Sequence, residues 1–96
     1  MIRFEWDEDK NLANQRKHFL SFETACLVFD DPLHRSVIDR VVDGEQRWQT
    51  MGMVEGIVVI VVAHTFYDTD DETIIRLISA RKATRHERRQ YEEEIS

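Results

Sequence analysis

Ile57-Val-Val-Ile-Val-Val-Ala63 is apolar on both of its faces and rich in β-branched side chains. Such a run suits a strand covered on each side, so it predicts the centre of a sheet that has layers above and below it. It is less than half as long as a membrane-spanning helix must be. Before it, residues 34–42 and 45–51 read as two strands joined by Asp43-Gly44, a dipeptide fit for the positive backbone angles of a tight hairpin. After it, Asp68-Thr-Asp-Asp71 makes a polar turn and residues 72–80 resume strand alternation. Ile75, Leu77 and Ser79 then share one face, and Ile74, Arg76, Ile78 and Ala80 share the other. Arg76 is thereby expected among apolar neighbours. An uncompensated buried charge costs on the order of several kcal/mol, so this arginine should be held for an anion.

The N-terminal third supplies the first helices. Residues 2–6 alternate as a strand, and Asp7 offers a cap to a helix over about residues 7–19. That helix is weakly amphipathic, with Lys10, Asn14 and His18 on one polar stripe and Leu12, Ala13 and Arg16 on another. Ser21 caps a second helix whose Phe22, Ala25, Cys26 and Phe29 form a core face, and Asp30-Asp31-Pro32 stops it. Cys26, the lone cysteine, reads as a buried small hydrophobe rather than a reactive thiol. Thr84-Arg-His-Glu87 fits a capping box, placing a last helix over about residues 85–94. The result is an α+β fold in the order β-α-α-β-β-β-β-α. The 96 residues, 42% hydrophobic, are enough for one domain spanning 1–96. With charges inside the first ten residues and no signal-peptide core, the expected compartment is the cytoplasm, with no membrane contact.

Charge is segregated along the chain. Residues 1–75 carry seven Lys and Arg against fifteen Asp and Glu, whereas residues 76–96 carry six against four, giving the net −6. A basic last strand and helix in an acidic protein is where a polyanion would bind, although a solvated, ion-paired helix has the same composition. No paired-Cys motif, EF-hand loop or His cluster points to a metal, and the isolated glycines Gly44, Gly52 and Gly56 form no phosphate-cradling loop, so no cofactor is expected. Neither Ser79 nor Cys26 lies in a nucleophile motif. The remaining Arg, Lys, His and Glu suit reaction at a phosphodiester. Cleavage through the ribose 2′-hydroxyl needs a base, cations for the phosphoryl oxygens and an acid for the leaving oxygen. Singly these residues have ordinary readings: Lys17-His18 as a surface pair, Glu45 and Arg47 as a cross-strand ion pair, and His64 as a satisfied core histidine.

Read together, several motifs carry a resemblance. Phe4-Glu-Trp6-Asp7-x-x-Lys10-x-x-x-Asn14-x-x-Lys17-His18, Ser21-Phe22-Glu23-x-Ala25, Phe29-Asp30-Asp31-Pro32, Glu45-x-Arg47 and Ile78-Ser79-Ala80-Arg81-Lys82-Ala83-Thr84-x-x-Glu87-Arg88-x-x-Tyr91-Glu92 resemble the BrnT family of bacterial toxins over almost the whole chain. The resemblance implies a RelE-like fold, a small twisted, mainly antiparallel sheet packed by N-terminal helices and a C-terminal helix. It also implies metal-independent endoribonuclease activity that inhibits translation, and a BrnA-like antitoxin with a ribbon-helix-helix DNA-binding domain. That antitoxin would neutralise the toxin and carry it to operator DNA. Carried over residue by residue, the family pattern covers Lys17, His18, Glu45, Arg47, Arg76, Ser79, Arg81, Arg85 and Tyr91. The expected roles are catalysis or scissile-phosphate binding for Lys17, His18, Glu45, Arg76 and Arg81, and RNA backbone contacts for Arg47, Arg85, Arg88 and Tyr91. Met53-Val-Glu-Gly56, with no basic residue, and the four acidic residues within 68–72 depart from a uniformly basic RNA surface. Two other readings compete with the nuclease: a non-catalytic module that docks an acidic partner through the basic segment, and a DNA-binding subunit using the last helix.

Overall fold

The computed structural model describes residues 1–95, the last of them by its backbone alone. Its elements are β1 (Ile2–Glu5), α1 (Glu8–His18), α2 (Phe22–Ala25), a 3₁₀ helix (Cys26–Asp30), β2 (Arg35–Val42), β3 (Glu45–Val54), β4 (Val58–Asp68), β5 (Thr73–Lys82) and α3 (Arg85–Ile95). This is the α+β order the sequence predicts, with the second helix tightening into 3₁₀ geometry after one turn. The five strands form one sheet in the order β1-β5-β4-β3-β2, and the apolar run lies in its middle strand except for Ile57, which stands exposed in the preceding turn. Only β1 runs parallel to its neighbour β5; the remaining pairs are antiparallel. Among the described residues, no helix is long and apolar enough to cross a membrane.

Over residues 59–62 both faces of β4 are covered. Ile60 and Val62 join Leu20, Phe22, Ala25, Val28, Val54, Ile75, Leu77 and Ala80 in the main core beneath α2 and the 3₁₀ helix. Val59 and Val61, on the opposite face, are buried as well and lie where α3 crosses. Close approach on the core side demands a glycine. A Cβ on Gly52 would sit 2.8 Å from the Val28 carbonyl oxygen. At the hairpin, Asp43 (φ 51) and Gly44 (φ 80) take the paired positive angles of the tight turn that matches strand twist. His64 is a satisfied core histidine. Its Nε2 lies 2.6 Å from the Thr50 hydroxyl, which lies 2.6 Å from that of Ser36, and Phe29 packs against its ring. Burial holds its pKa down at about 4, only partly offset by the Thr65 carbonyl, so the ring is neutral at neutral pH.

Three sequence expectations change. First, the buried face of α1 is polar: Asn11 and Asn14 are inside while Leu12 is 44% exposed. The Asn14 side-chain amide donates to the carbonyls of Leu20 (2.9 Å) and Ala80 (2.8 Å) and accepts from the Ala80 N–H (3.1 Å). Because β1 ends opposite Arg76, the outer edge of β5 lacks a strand from there on, and Asn14 takes the strand's place. Asn11 accepts from the Phe22 N–H at 2.8 Å and fixes α2 in the same way. Second, a bulge in β5 at Ile78 breaks the alternation, since Ala63 faces Ser79 while His64 faces Leu77. Leu77 and Ala80 therefore both enter the core, Ser79 turns outward, and Arg76 is exposed rather than enclosed by apolar neighbours. Third, Cys26 is half-buried, its thiol donating to the Glu23 carbonyl at 3.1 Å, and burial pushes its pKa up. Asn14→Leu should leave backbone groups of Ala80 and Leu20 unpaired in the interior and cost about 2–4 kcal/mol in urea unfolding; a variant of unchanged stability would show that water replaces the asparagine.

Candidate active site

The face of the sheet opposite the main core is only partly covered by α3. One row across it is built by register: Thr65 pairs with Arg76, and Arg47 falls opposite Thr65, one position beyond the Trp48–His64 pair. Side chains paired in this way point to the same side. With two inter-strand spacings between them, the backbones of Arg47 and Arg76 stand roughly 10 Å apart, a gap that two arginine side chains reaching inward would span to a shared phosphate. A cavity of about 140 Å³ opens here, lined by Lys10, Glu45, Arg47, Thr65, Arg76 and Ile78. Lys10 belongs because α1 runs beside the edge of β5, bringing its first turns level with Ile78 while Asn14 reaches Ala80.

Within the cavity Glu45 and Arg47 sit two residues apart on β3 and pair at 3.6 Å along the strand, not across strands as the sequence reading has it. That distance leaves the buried Arg47 Nε without a hydrogen-bond partner. Glu5 lies beside Arg76 by register, but Arg3 engages it at 3.6 Å. The site thus sets one carboxylate among three cations, one of which has a donor to spare. A larger depression of about 520 Å³, lined by Leu27, Asp30, Asp31, Pro32, Leu33, Met53 and Tyr91 among others, offers no cation.

The remaining predicted residues fall elsewhere. Lys17 and His18 close the last turn of α1, outside the cavity. Arg81 faces the same side as Arg76 but is held by Glu87, with Nη1–Oε1 at 2.7 Å and Nη2–Oε2 at 3.0 Å. Glu87 also accepts from the Thr84 N–H at 2.9 Å while the Thr84 hydroxyl accepts from the Glu87 N–H at 3.2 Å, completing the predicted capping box. The Arg81 hydrogen bonds, outweighing desolvation, bring the Glu87 pKa down to about 2. Arg85 and Arg88 line a separate groove of about 330 Å³ with Arg89, Met53, Ile57, Val59 and Glu92. Tyr91, expected to contact phosphate, is 2% exposed and donates its hydroxyl to Asp31, because this ring is what seats α3 on the body. Burial and the Asp31 carboxylate push its pKa up to about 12. Burial alone would raise the Asp31 carboxyl, but bonds from the Met53 N–H, Tyr91 and the Leu33 N–H outweigh it and lower its pKa. Sequence reasoning missed Lys10 as a site residue, although it stands in the quoted family pattern.

An α+β protein with one carboxylate set among a lysine and two arginines is the class this fold and cavity define. Residues 6–87 match the family model described as ribonuclease toxin, BrnT, of type II toxin-antitoxin system, and the chain belongs to that family. Its fold is similar to the crystal structure of the Brucella abortus ribonuclease toxin BrnT, with 27% identity, 88% of this chain and 100% of that chain covered, and a TM-score of 0.62. Among curated proteins none matches the chain. Membership implies an antitoxin partner.

The two carboxylates that hold α3 generate a pH prediction. Both have folded pKa values below their ordinary ones, so their contribution is complete above about pH 4.5 and lost as pH falls through the folded values, near 2 for Glu87. Amide exchange should show α3 losing protection ahead of β4 on acidification from about pH 5 to about pH 2. Glu87→Gln should weaken protection already at the upper end; uniform protection across that range would contradict the anchoring described.

Proposed function

We propose that this chain is a metal-independent endoribonuclease toxin, acting as one domain over residues 1–96 in the cytoplasm, that cleaves RNA and thereby inhibits translation. The observation that carries the reading is the cavity in which Glu45 stands among Lys10, Arg47 and Arg76. In the proposed reaction the Glu45 carboxylate takes the proton of a ribose 2′-hydroxyl, and the freed oxygen attacks the adjacent phosphorus. The P–O5′ bond breaks, and the leaving oxygen takes a proton from the Lys10 ammonium. The products are a 2′,3′-cyclic phosphate and a 5′-hydroxyl. Arg47 and Arg76 hold the phosphoryl oxygens as negative charge builds, and the Arg47 guanidinium, whose Nε has only the 3.6 Å ion pair with Glu45 and no hydrogen bond, supports that role. Of the two proton carriers expected from sequence, this arrangement favours Glu45 over His18.

Lys17, His18, Arg85 and Arg88 act in this proposal as backbone contacts beyond the cavity, and Arg81 acts mainly by fixing the start of α3 through Glu87. Neutralisation falls to a BrnA-like antitoxin whose ribbon-helix-helix domain supplies operator contact; the family match supports a partner of that class. A purely binding role also has support, from the arginine-lined groove on α3. It predicts tight partner binding and intact RNA.

Expression of folded variants separates these readings. Glu45→Gln and Arg76→Ala should each reduce RNA cleavage by roughly 10²- to 10⁴-fold, the range of a lost general base or charge stabiliser. His18→Ala should stay within about tenfold of wild type. Full activity in both cavity variants, or loss confined to His18→Ala, would move the chemistry out of this site.

A further inference from the structure

Tyr67 lies two residues beyond Thr65 on β4, pairs with Ile74 across β5, and faces the side that carries Arg76 and Arg47. It is 51% exposed. Among the described residues no ring packs on it, as none does on Phe19 or the buried Tyr91, whereas Trp48, Phe66, Phe4, Trp6, Phe22 and Phe29 all have ring partners. Ile74, its cross-strand partner, is buried on the same face. Single exposed tyrosines are common and by themselves mean nothing. What distinguishes this one is its separation from the phosphate-binding row, about 7 Å along the strand, a step that one extended nucleotide bridges.

Charge fixes which part of a nucleotide can occupy that position. Directly after Tyr67 comes the turn bearing Asp68, Asp70, Asp71 and Glu72. Arg3, the cation nearest this turn on β1, is taken by Glu72 at 3.2 Å and Glu5 at 3.6 Å. A phosphate would be repelled there, while a neutral base would not. Resting on the ribonuclease reading above, we propose that Tyr67 is a nucleobase subsite, a stacking platform for the base adjoining the phosphate held by Arg47 and Arg76. The acidic turn then orients the strand, with phosphates toward the arginines and the base toward β4's far end. It also explains how an acidic loop can border an RNA site: it excludes backbone, not base.

The test uses the full chain and an oligoribonucleotide fully 2′-O-methylated, hence uncleavable by the proposed route, with a single fluorescent 2-aminopurine. Wild type and Tyr67→Trp should bind it and quench the probe. Tyr67→Ala should bind roughly 5- to 100-fold more weakly and lose the quenching, as expected for removing one aromatic–base stack. Its thermal unfolding should match wild type, since the ring is exposed. On cleavable RNA, Tyr67→Ala should raise KM more than it lowers kcat. If Arg76→Ala abolishes binding while Tyr67→Ala binds and quenches like wild type, the subsite is wrong and the arginine site stands. If wild type does not bind the oligomer at all, both are wrong.

Discussion

Asn14 replaces a strand. The first strand is only four residues long, and past Glu5 the outer edge of β5 would be left with unpaired amide groups inside the protein. One side-chain amide meets both the N–H and the carbonyl of Ala80 and reaches the Leu20 carbonyl as well. To do so, α1 must lie along the sheet edge rather than across its face. That orientation brings Lys10, one helical turn earlier, to the rim of the cavity beside Arg76. It also leads the chain into α2, where Asn11 accepts from the Phe22 N–H and sets Phe22 into the core. An apolar helix face would give burial without this directional control, because hydrophobic contact is not directional and two opposed hydrogen bonds to one residue are.

The second constraint is partial cover. Helix α3 is strongly polar and meets the sheet through few buried groups, chiefly Tyr91, with the Arg81–Glu87 pair at its start. An 11-residue helix of this composition is marginal in isolation, so these anchors matter more than its propensity. Because it crosses at Val59 and Val61, the row of Arg47, Thr65 and Arg76 stays open. The same face thus has an end supported by α3 and an open end lined by arginines. The overall charge of −6 hides this, since four acidic residues gather within 68–72 and three at the end of α3 while Arg47 and Arg76 line the open row.

Much of the fold was legible because its signals are local. The apolar run at 57–63, Asp43-Gly44, the Asp7 and Ser21 caps and the Thr84–Glu87 box each act within a few residues, and all but the first residue of that run appear in the structure as such. What could not be read was set by register. The bulge at Ile78 moves Arg76 and Ser79 relative to the core without changing composition, and the burial of Asn11 and Asn14 depends on where β1 happens to stop. Site residues followed the same division. Glu45, Arg47 and Arg76 were identifiable as types suited to a phosphodiester, but their meeting with Lys10 depends on cross-strand alignment that spacing alone does not give. Tyr91 was misread for a related reason. Its helical position allows either face, and only the placement of Asp31, sixty residues away, decides it.

The claim that matters most is that RNA is cut by its own 2′-hydroxyl in this cavity. The direct measurement is to treat two oligoribonucleotides, identical except for a single 2′-deoxy sugar at the mapped cut, with the purified chain in excess chelator and to identify the new ends. The account predicts that only the all-ribose strand is cut, leaving a 2′,3′-cyclic phosphate and a 5′-hydroxyl. Cleavage of the deoxy-substituted strand, or ends bearing a 5′-phosphate, would contradict it, since either requires a nucleophile other than the adjacent hydroxyl.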